Sequence, residues 1–316
     1  MRKMNVLMIV IITTLCIVYN PIADQYVALL KGETVHVDKH SNPLYEEIIK
    51  KSKLYEVKAI DAKIDSVWKA TPGYNGREVD IEASFQKMKK QGKFTEDMLI
   101  FKQTKPKVHL DDLQASPIYR GNPEKPMVAF IINVAWGNEY LPDMLATLKK
   151  HNIKTSFFLE GRWAKENPDL TKMIYEAGHE IGNHSYTHPD MKNLSAAEIK
   201  NQLQKTNDVI EATTGQVPRW FGPPSGSYRD EVVKIADVLG LGTIIWSVDT
   251  IDWQRPAPET IIQRVETKVH PGALILMHPT APTAKALDRL ITIMDRKNLR
   301  IGTVSETLSE ERIQSN

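Results

Sequence analysis

The stretch Gly178-His179-Glu180-Ile181-Gly182-Asn183-His184-Ser185-Tyr186-Thr187-His188 decides the reading of this chain. Glu180–Asn183 is too short for a helix and is bounded by Gly178 on one side and Pro189 beyond the other, so it reads as a strand ending in a polar turn. His184 and His188 follow it. Two imidazoles four residues apart can face one side of a helical turn and share a divalent ion. The spacing alone is unspecific; its place directly after a strand makes it informative.

The same unit recurs on both sides. Short apolar runs lie at Val128–Ile132, Thr155–Leu159, Trp220–Phe221, Thr243–Trp246, Ala273–Met277 and Arg300–Val304. Helical stretches separate them, at Tyr140–His151, Asn167–Ala177, Ser195–Thr213, Asp230–Leu239, Pro258–Val269 and Thr283–Lys297. Ser195-Ala-Ala-Glu198 has the form of a capping box opening the third of these. Strands alternating with helices predict an α/β fold with a parallel sheet, and about seven repeats of the unit favour a barrel over an open sheet. In such a barrel the site gathers at the C-terminal ends of the strands. The residues there are Asn133, His184 and His188, the loop Gly222-Pro-Pro-Ser-Gly226, Asp249, Asp252-Trp253 and His278.

With those residues in view, the chain resembles the polysaccharide deacetylases of the NodB-homology type, carbohydrate esterase family four. Gly178–His188 is similar to that family's second motif, Thr155-Ser-Phe-Phe158 to the strand before it, Trp246-Ser-Val-Asp-Thr-Ile-Asp-Trp253 to the fourth motif and Leu276-Met-His278 to the fifth. Their order and spacing fit across roughly 127–308. The resemblance implies a distorted (β/α)7-type barrel. It also implies hydrolytic removal of the N-acetyl group from sugars of chitin or peptidoglycan. In the family a divalent metal, often zinc, is held by an aspartate and two histidines, and a second aspartate acts as general base on the metal's water.

Residue by residue, the resemblance puts His184 and His188 at the metal-histidine positions. His278 takes the general-acid position, with Asp252 placed to tune it. Leu276 and Trp253 form the wall around the acetyl methyl, and Ser225 and Gly226 belong to the substrate loop. The first motif, T-F-D-D-G-P in the family, reads Ile131-Ile-Asn-Val-Ala-Trp136, so Asn133 replaces the base aspartate and Val134 the metal aspartate. The third motif, F-R-P-P-Y-G, reads Phe221-Gly-Pro-Pro-Ser-Gly226, so Gly222 replaces the arginine that orients the base. Neutral Asn133 cannot take a proton from water, which forfeits about 10²- to 10⁴-fold in rate. Val134 has no lone pair, so zinc would be bound weakly or not at all. Gly222 lacks the guanidinium fork.

The remaining sequence sets the boundaries. Arg2 and Lys3 precede the uncharged run Met4–Val18, the pattern of an export signal or a retained anchor, taken as 1–27. Residues 28–112 read as a small α/β module with helices at Tyr45–Leu54 and Val79–Lys90, the latter with Ile81, Phe85 and Met88 on one face. The polar, proline-bearing stretch 113–126 reads as a linker, and 127–316 as the barrel. A formal net charge of +2 gives no field for nucleic acid, and the single cysteine, Cys16, excludes an internal disulfide or a cysteine zinc site. Trp163, Trp220 and Trp246 read as packing, Asp249 as a structural acceptor, and Trp136 as core or as filler of the space where the metal loop lies in the family.

Three functions stay open. The chain is an exported, membrane-associated pseudoenzyme of the family, acting at cell-wall glycan without normal turnover; or a metal-dependent N-deacetylase with a displaced base; or a glycan- or partner-binding module using the old groove. The motif layout with a short N-terminal module resembles deacetylase-like proteins of spore-forming Gram-positive bacteria, which implies a role in wall or spore-cortex biology.

Overall fold

The computed structural model describes residues 42–313; the expected export or anchor segment at 1–27 lies outside the described residues. Among the described residues no helix is long and apolar enough to cross a membrane. The chain divides into two compact units, one of 42–56 with Glu78–Lys102 and one of Val57–Arg77 with 103–313.

In the first unit, α1 (Pro43–Ser52) starts at Asn42, whose Oδ1 accepts the Leu44 N–H at 3.0 Å. Helix α2 (Ile81–Met88) starts at Asp80, which accepts the Ala83 N–H at 2.9 Å. Each cap satisfies a donor that the first helical turn leaves open. Leu44, Ile48, Val79, Met88 and Leu99 form a small core, and Ile81 and Phe85 pack on it as their spacing predicts.

The second unit holds the barrel. Strands β1 (Lys63–Asp65) and β2 (Lys69–Thr71) form an antiparallel hairpin. Strands β3 (Gly76–Val79) and β4 (Phe101–Thr104) make a second two-stranded sheet. The main sheet is parallel and comprises β5 (Met127–Val134), β6 (Ser156–Leu159), β7 (Glu180–Asn183), β8 (Trp220–Phe221), β9 (Gly242–Thr243), β10 (Val248–Asp249), β11 (Leu274–Met277) and β12 (Arg300–Gly302). Its order is β10-β11-β5-β6-β7-β8-β9, with β12 also paired to β5. Consecutive strands β9 and β10 thus sit at opposite ends of the order, joined only by Ile244–Ser247. So short a link between the two edges requires the sheet to curl, and the result is a distorted (β/α)7-type barrel with its seam there.

The helices follow the expected alternation: α3 (Leu141–Lys150), α4 (Gly161–Glu166), α5 (Pro168–Glu176), α6 (Ala196–Thr214), α7 (Asp230–Val238), α8 (Pro258–Lys268), α9 (Ala281–Arg296) and α10 (Val304–Leu308). Helix α6 opens on the predicted capping box of Ser195 and Glu198 and closes on Gly215 at φ 76°. Helix α4 is an addition, started by the Glu160 carboxylate accepting the Trp163 N–H at 2.7 Å.

Every residue of β5 is buried, which is why the strand reads as a continuous apolar run. Its two faces go to different cores. Val128, Phe130, Ile132 and Val134 pack with the surrounding helices through Leu141, Met144 and Leu290. Ala129 and Ile131 face the barrel interior with Phe158, Leu274 and Leu276. Strand periodicity therefore turns Asn133 inward and Val134 outward.

Two expectations are corrected. The run Thr243–Trp246 is not one strand; β9 ends at Thr243 and β10 begins at Val248, with the seam between them. The stretch 113–126 belongs with the barrel unit instead of linking to it, as do 57–77 and 103–112. Ile118 is buried and bridges Ile244, while the Asn122 Nδ2 donates to the Pro72 carbonyl at 2.9 Å. The buried Lys125 ammonium donates to the Ser309 carbonyl at 2.7 Å, and burial pushes its pKa down to about 8.

Candidate active-site cavity at the C-terminal rim

The strand ends enclose a cavity of about 480 Å³, a volume suited to a small ligand or one sugar unit. Five segments of the chain build it.

His184 and His188 come from the end of β7. They do not sit on a helical turn: Ser185 and His188 both have left-handed φ, 60° and 56°, in a tight turn leaving the strand. Buried Asn183 holds this turn, its Oδ1 accepting the Ser185 N–H at 2.8 Å and its Nδ2 donating to the Leu203 carbonyl and to Asn207, both at 2.8 Å. From α6, the Gln202 Oε1 accepts the Tyr186 and Thr187 N–H groups at 2.8 and 2.9 Å. The two imidazoles end with ring centroids 5.0 Å apart. The His184 Nδ1–H donates to the Gly222 carbonyl at 2.7 Å, which leaves Nε2 as a bare acceptor. Burial pushes the His184 pKa down to about 3 and lowers that of His188, so both rings are neutral near pH 7.

His278 follows β11. Buried Asp252 grips it twice, accepting its ring Nδ1–H at 2.8 Å and its backbone N–H at 2.6 Å, and also accepts the Thr283 hydroxyl at 2.6 Å. This fixes the tautomer and leaves the other ring nitrogen free. Leu276, one strand period before, lines the cavity; so does Trp253, which is 55% exposed.

At the end of β5, Asn133 reaches the cavity with 5% exposure, and its Oδ1 is buried with no hydrogen-bond partner. Val134 is absent from the lining because it packs into the helix-side core. Beyond β8, Ser225 lines the cavity at φ 56°. Gly226 does not; a Cβ there would meet the Trp246 ring at 2.9 Å, so it acts as a close backing for that indole. A Cβ at Gly222 would meet Phe158 at 3.0 Å, so a longer side chain there must displace that ring slightly.

Ala135, Trp136, Trp246 and Asp249 complete the lining. Trp246 and Asp249 thus line the cavity besides packing, and Asp249 also has a structural bond, its Oδ1 accepting the Ile251 N–H at 2.8 Å. Trp136 is neither core nor filler. It is 41% exposed and lies parallel to the His278 imidazole, 5.9 Å between centroids at 7°. Its signal in the sequence was an indole just beyond a strand end.

Divalent-metal chemistry needs three protein ligands around an open position. The cavity supplies two neutral imidazoles, and among the described residues no three His, Cys, Asp or Glu side chains cluster as a metal would require. The orphaned Asn133 amide stands where the family's motif has a carboxylate. These residues do not fit the family's metal.

A profile of the family described as polysaccharide deacetylase matches residues 120–244. The uncharacterized protein YlxY of Bacillus subtilis is 55% identical over 294 residues, 93% of this chain and 92% of that one. Peptidoglycan-N-acetylmuramic acid deacetylase PdaA of Bacillus subtilis is 30% identical over 201 residues, 62% of this chain and 76% of its own. Among solved structures, wild-type BA3943 of Bacillus anthracis, described as a CE4 family pseudoenzyme, matches with a TM-score of 0.80 and 60% identity over 85% of this chain and 96% of that one. A BA3943 mutant described as having restored enzymatic activity matches with a TM-score of 0.80 and 59% identity over 85% of this chain and 99% of that one.

Proposed function

The chain belongs to the polysaccharide deacetylase family, and from that premise we propose that it is a cell-wall protein that engages N-acetylated glycan, peptidoglycan or a related polymer, without the family's hydrolytic turnover. The observation that carries this reading is Asn133. The residue at the base position is neutral and buried at the cavity wall with its Oδ1 unpaired, so it supplies no proton acceptor of useful basicity.

The ligand set argues in the same direction. His184 and His188 are two neutral donors, and the third position of the motif, Val134, turns into the helix-side core. The acid side keeps its geometry in His278 and Asp252, yet protonation of a leaving amine has no role where no nucleophile is generated. The similarity to a described pseudoenzyme supports this reading, and the similarity to a peptidoglycan deacetylase supports the choice of polymer. The charged and then apolar first eighteen residues support export with retention at the membrane. A role in the wall or cortex of spores is the biological setting we propose.

Protein purified without added metal tests the reading. The expected result is zinc well below one per chain, together with saturable co-sedimentation with purified peptidoglycan that persists in chelator. One zinc per chain with steady acetate release would instead establish an N-deacetylase with a displaced base.

A further inference from the structure

We propose that the hairpin of β1 and β2 is a membrane contact in its own right, its tip at Val67 entering the headgroup region of an anionic lipid surface while the lysines beside it meet the phosphates. This rests on the reading that the chain is retained at the membrane, and it does not depend on what the cavity binds.

The hairpin has one covered strand and one bare one. Val57 lies opposite Arg77, Ile60 opposite Tyr74, and Lys63–Asp65 opposite Lys69–Thr71, so a single register runs through residues 57–77. The inner strand is buried from Ala70 to Gly76. It is tied to the barrel unit, where the Ala70 N–H donates to the Pro117 carbonyl at 3.1 Å and Lys69 bridges Ile118. The outer strand and the turn face solvent: Val57, Ile60, Ile64 and Val67 are 37%, 38%, 42% and 67% exposed. Met173, Val217 and Val238, also exposed, stand singly on distant elements, which is ordinary for a protein surface. A run of such residues along one strand and its turn marks an interaction surface. Strand alternation puts Ile60 and Ile64 on one face and Asp61 and Lys63 on the other.

The tip is held rigidly. The Asp65 Oδ1 accepts the Val67 and Trp68 N–H groups at 2.8 and 2.9 Å. Lys69 closes the turn at φ 57°, and its Nζ donates to the Ser66 carbonyl at 3.2 Å. The Trp68 ring is met by the Arg120 guanidinium, 5.2 Å from its centroid, and by the His270 imidazole, 6.0 Å between centroids. A strained backbone position and an aspartate turn thus fix an apolar side chain in water, an arrangement that gains from a partner able to take Val67 out of it.

Charge selects lipid as that partner. Lys58, Lys63 and Lys107 are exposed around the apolar residues. The Asp61 carboxylate is turned to the backbone, accepting the Lys107 and Val108 N–H groups at 2.6 and 3.2 Å, as that of Asp65 is in the turn. Lysines flanking aliphatic and indole side chains match a lipid interface, where the stems meet acyl chains and the ammonium groups meet phosphate. A second copy would bring the same lysines against one another across a two-fold contact. Tethering adds to this. Residues 19–41 extend over at most about 80 Å. Retention through the run Met4–Val18 would therefore keep the hairpin at high effective concentration near the surface, where a contact too weak to bind alone becomes occupied.

Spin-label accessibility in the full chain tests the proposal. Cys16→Ser removes the single native cysteine, and a label is then placed at Val67→Cys or, for comparison, at Val238→Cys, which is 83% exposed in the parent at the end of α7. Each variant is checked for an unchanged melting transition and reconstituted into vesicles of equal parts phosphatidylglycerol and phosphatidylcholine. At the depth of about 5–10 Å that interfacial segments reach, the label at 67 is expected to lose about 3-fold or more of its collision rate with a water-soluble nickel chelate, relative to the label at 238, and to gain collisions with oxygen. In vesicles of phosphatidylcholine alone, or with Lys58→Glu and Lys63→Glu added, that difference is expected to vanish. Equal nickel accessibility at 67 and 238 in the anionic vesicles would overturn the role of the hairpin while leaving retention at the membrane intact. Protection that persists in neutral vesicles would overturn the charge match on which the choice of lipid rests. Dipolar coupling between labels at 67 on two chains would assign the surface to a second copy and overturn the lipid contact. A chain that does not stay with the vesicles would overturn the retention reading itself.

Discussion

The two sides of the cavity rim are built to different standards. On the β10–β11 side, Asp252 is fully buried and every hydrogen bond it can usefully make is made: to the His278 ring, the His278 backbone and the Thr283 hydroxyl. On the β5–β8 side, Asn133 has an orphaned oxygen, Val134 faces away, and Gly222 contributes its backbone alone. One side is held by the demands of folding. The other retains a shape but not the groups that would have charged it. The acid-side residues satisfy buried partners, whereas the family's two aspartates and arginine, whose charges need one another, are replaced together here. A guanidinium at position 222 without a carboxylate at 133 would be a buried charge without its partner, which is costlier than either being absent.

The contrast can be broken by mutation. Asp252→Ala strands three donors at once, and removing the acceptor of buried charge-assisted bonds costs about 3–5 kcal/mol. The expected outcome is a fall of that size in urea-unfolding stability. A change below about 1 kcal/mol would mean that the acid side is not what holds the rim.

Acid sharpens the same contrast. His184, on the hollow side, is pushed down to about 3 by burial, and His179, buried beneath the sheet, to about 4. A histidine whose folded pKa is depressed takes up its proton more readily when unfolded. Its contribution to stability is therefore complete above about pH 6.5 and is lost as pH falls from there toward the folded value. Each buried ring should cost about 1.4 kcal/mol per pH unit over that window. Urea-unfolding curves at pH 7 and pH 5 should show the loss, and His184→Gln should make the dependence shallower. A pH dependence that His184→Gln leaves unchanged would contradict the burial argument.

Asn133→Leu should have the smallest effect. It removes an unpaired buried oxygen and gives nothing polar in return, so its stability should stay within about 1 kcal/mol of the parent or rise. A loss of several kcal/mol would show that the amide has a structural partner after all.

Much of the fold was legible because parallel strands buried on both faces are continuous apolar runs, as Met127–Val134 shows, and because Ser195 with Glu198 announces a helix start. The seam was not legible. Strands of two residues, such as β9 and β10, are too short to display a period. The stretch 113–126 looked like a linker because its polar residues find their partners far away in sequence, Asn122 at Pro72 and Lys125 at Ser309. At the cavity, Asn133, His184, His188, Ser225, Trp253, Leu276 and His278, all singled out from the sequence, line the wall. The facing of Val134, the backing role of Gly226 and the stacking of Trp136 on His278 needed the strand's phase and the third dimension.

The central claim, that the β5–β8 side lacks what hydrolysis needs, is tested most directly by acetate release from chitooligosaccharide with zinc supplied. The parent is to be assayed beside the combined variant Asn133→Asp, Val134→Asp and Gly222→Arg. The account predicts no release above background from the parent and release at least 10²-fold higher from the variant. Steady turnover by the unaltered chain, lost on changing His278, would contradict it.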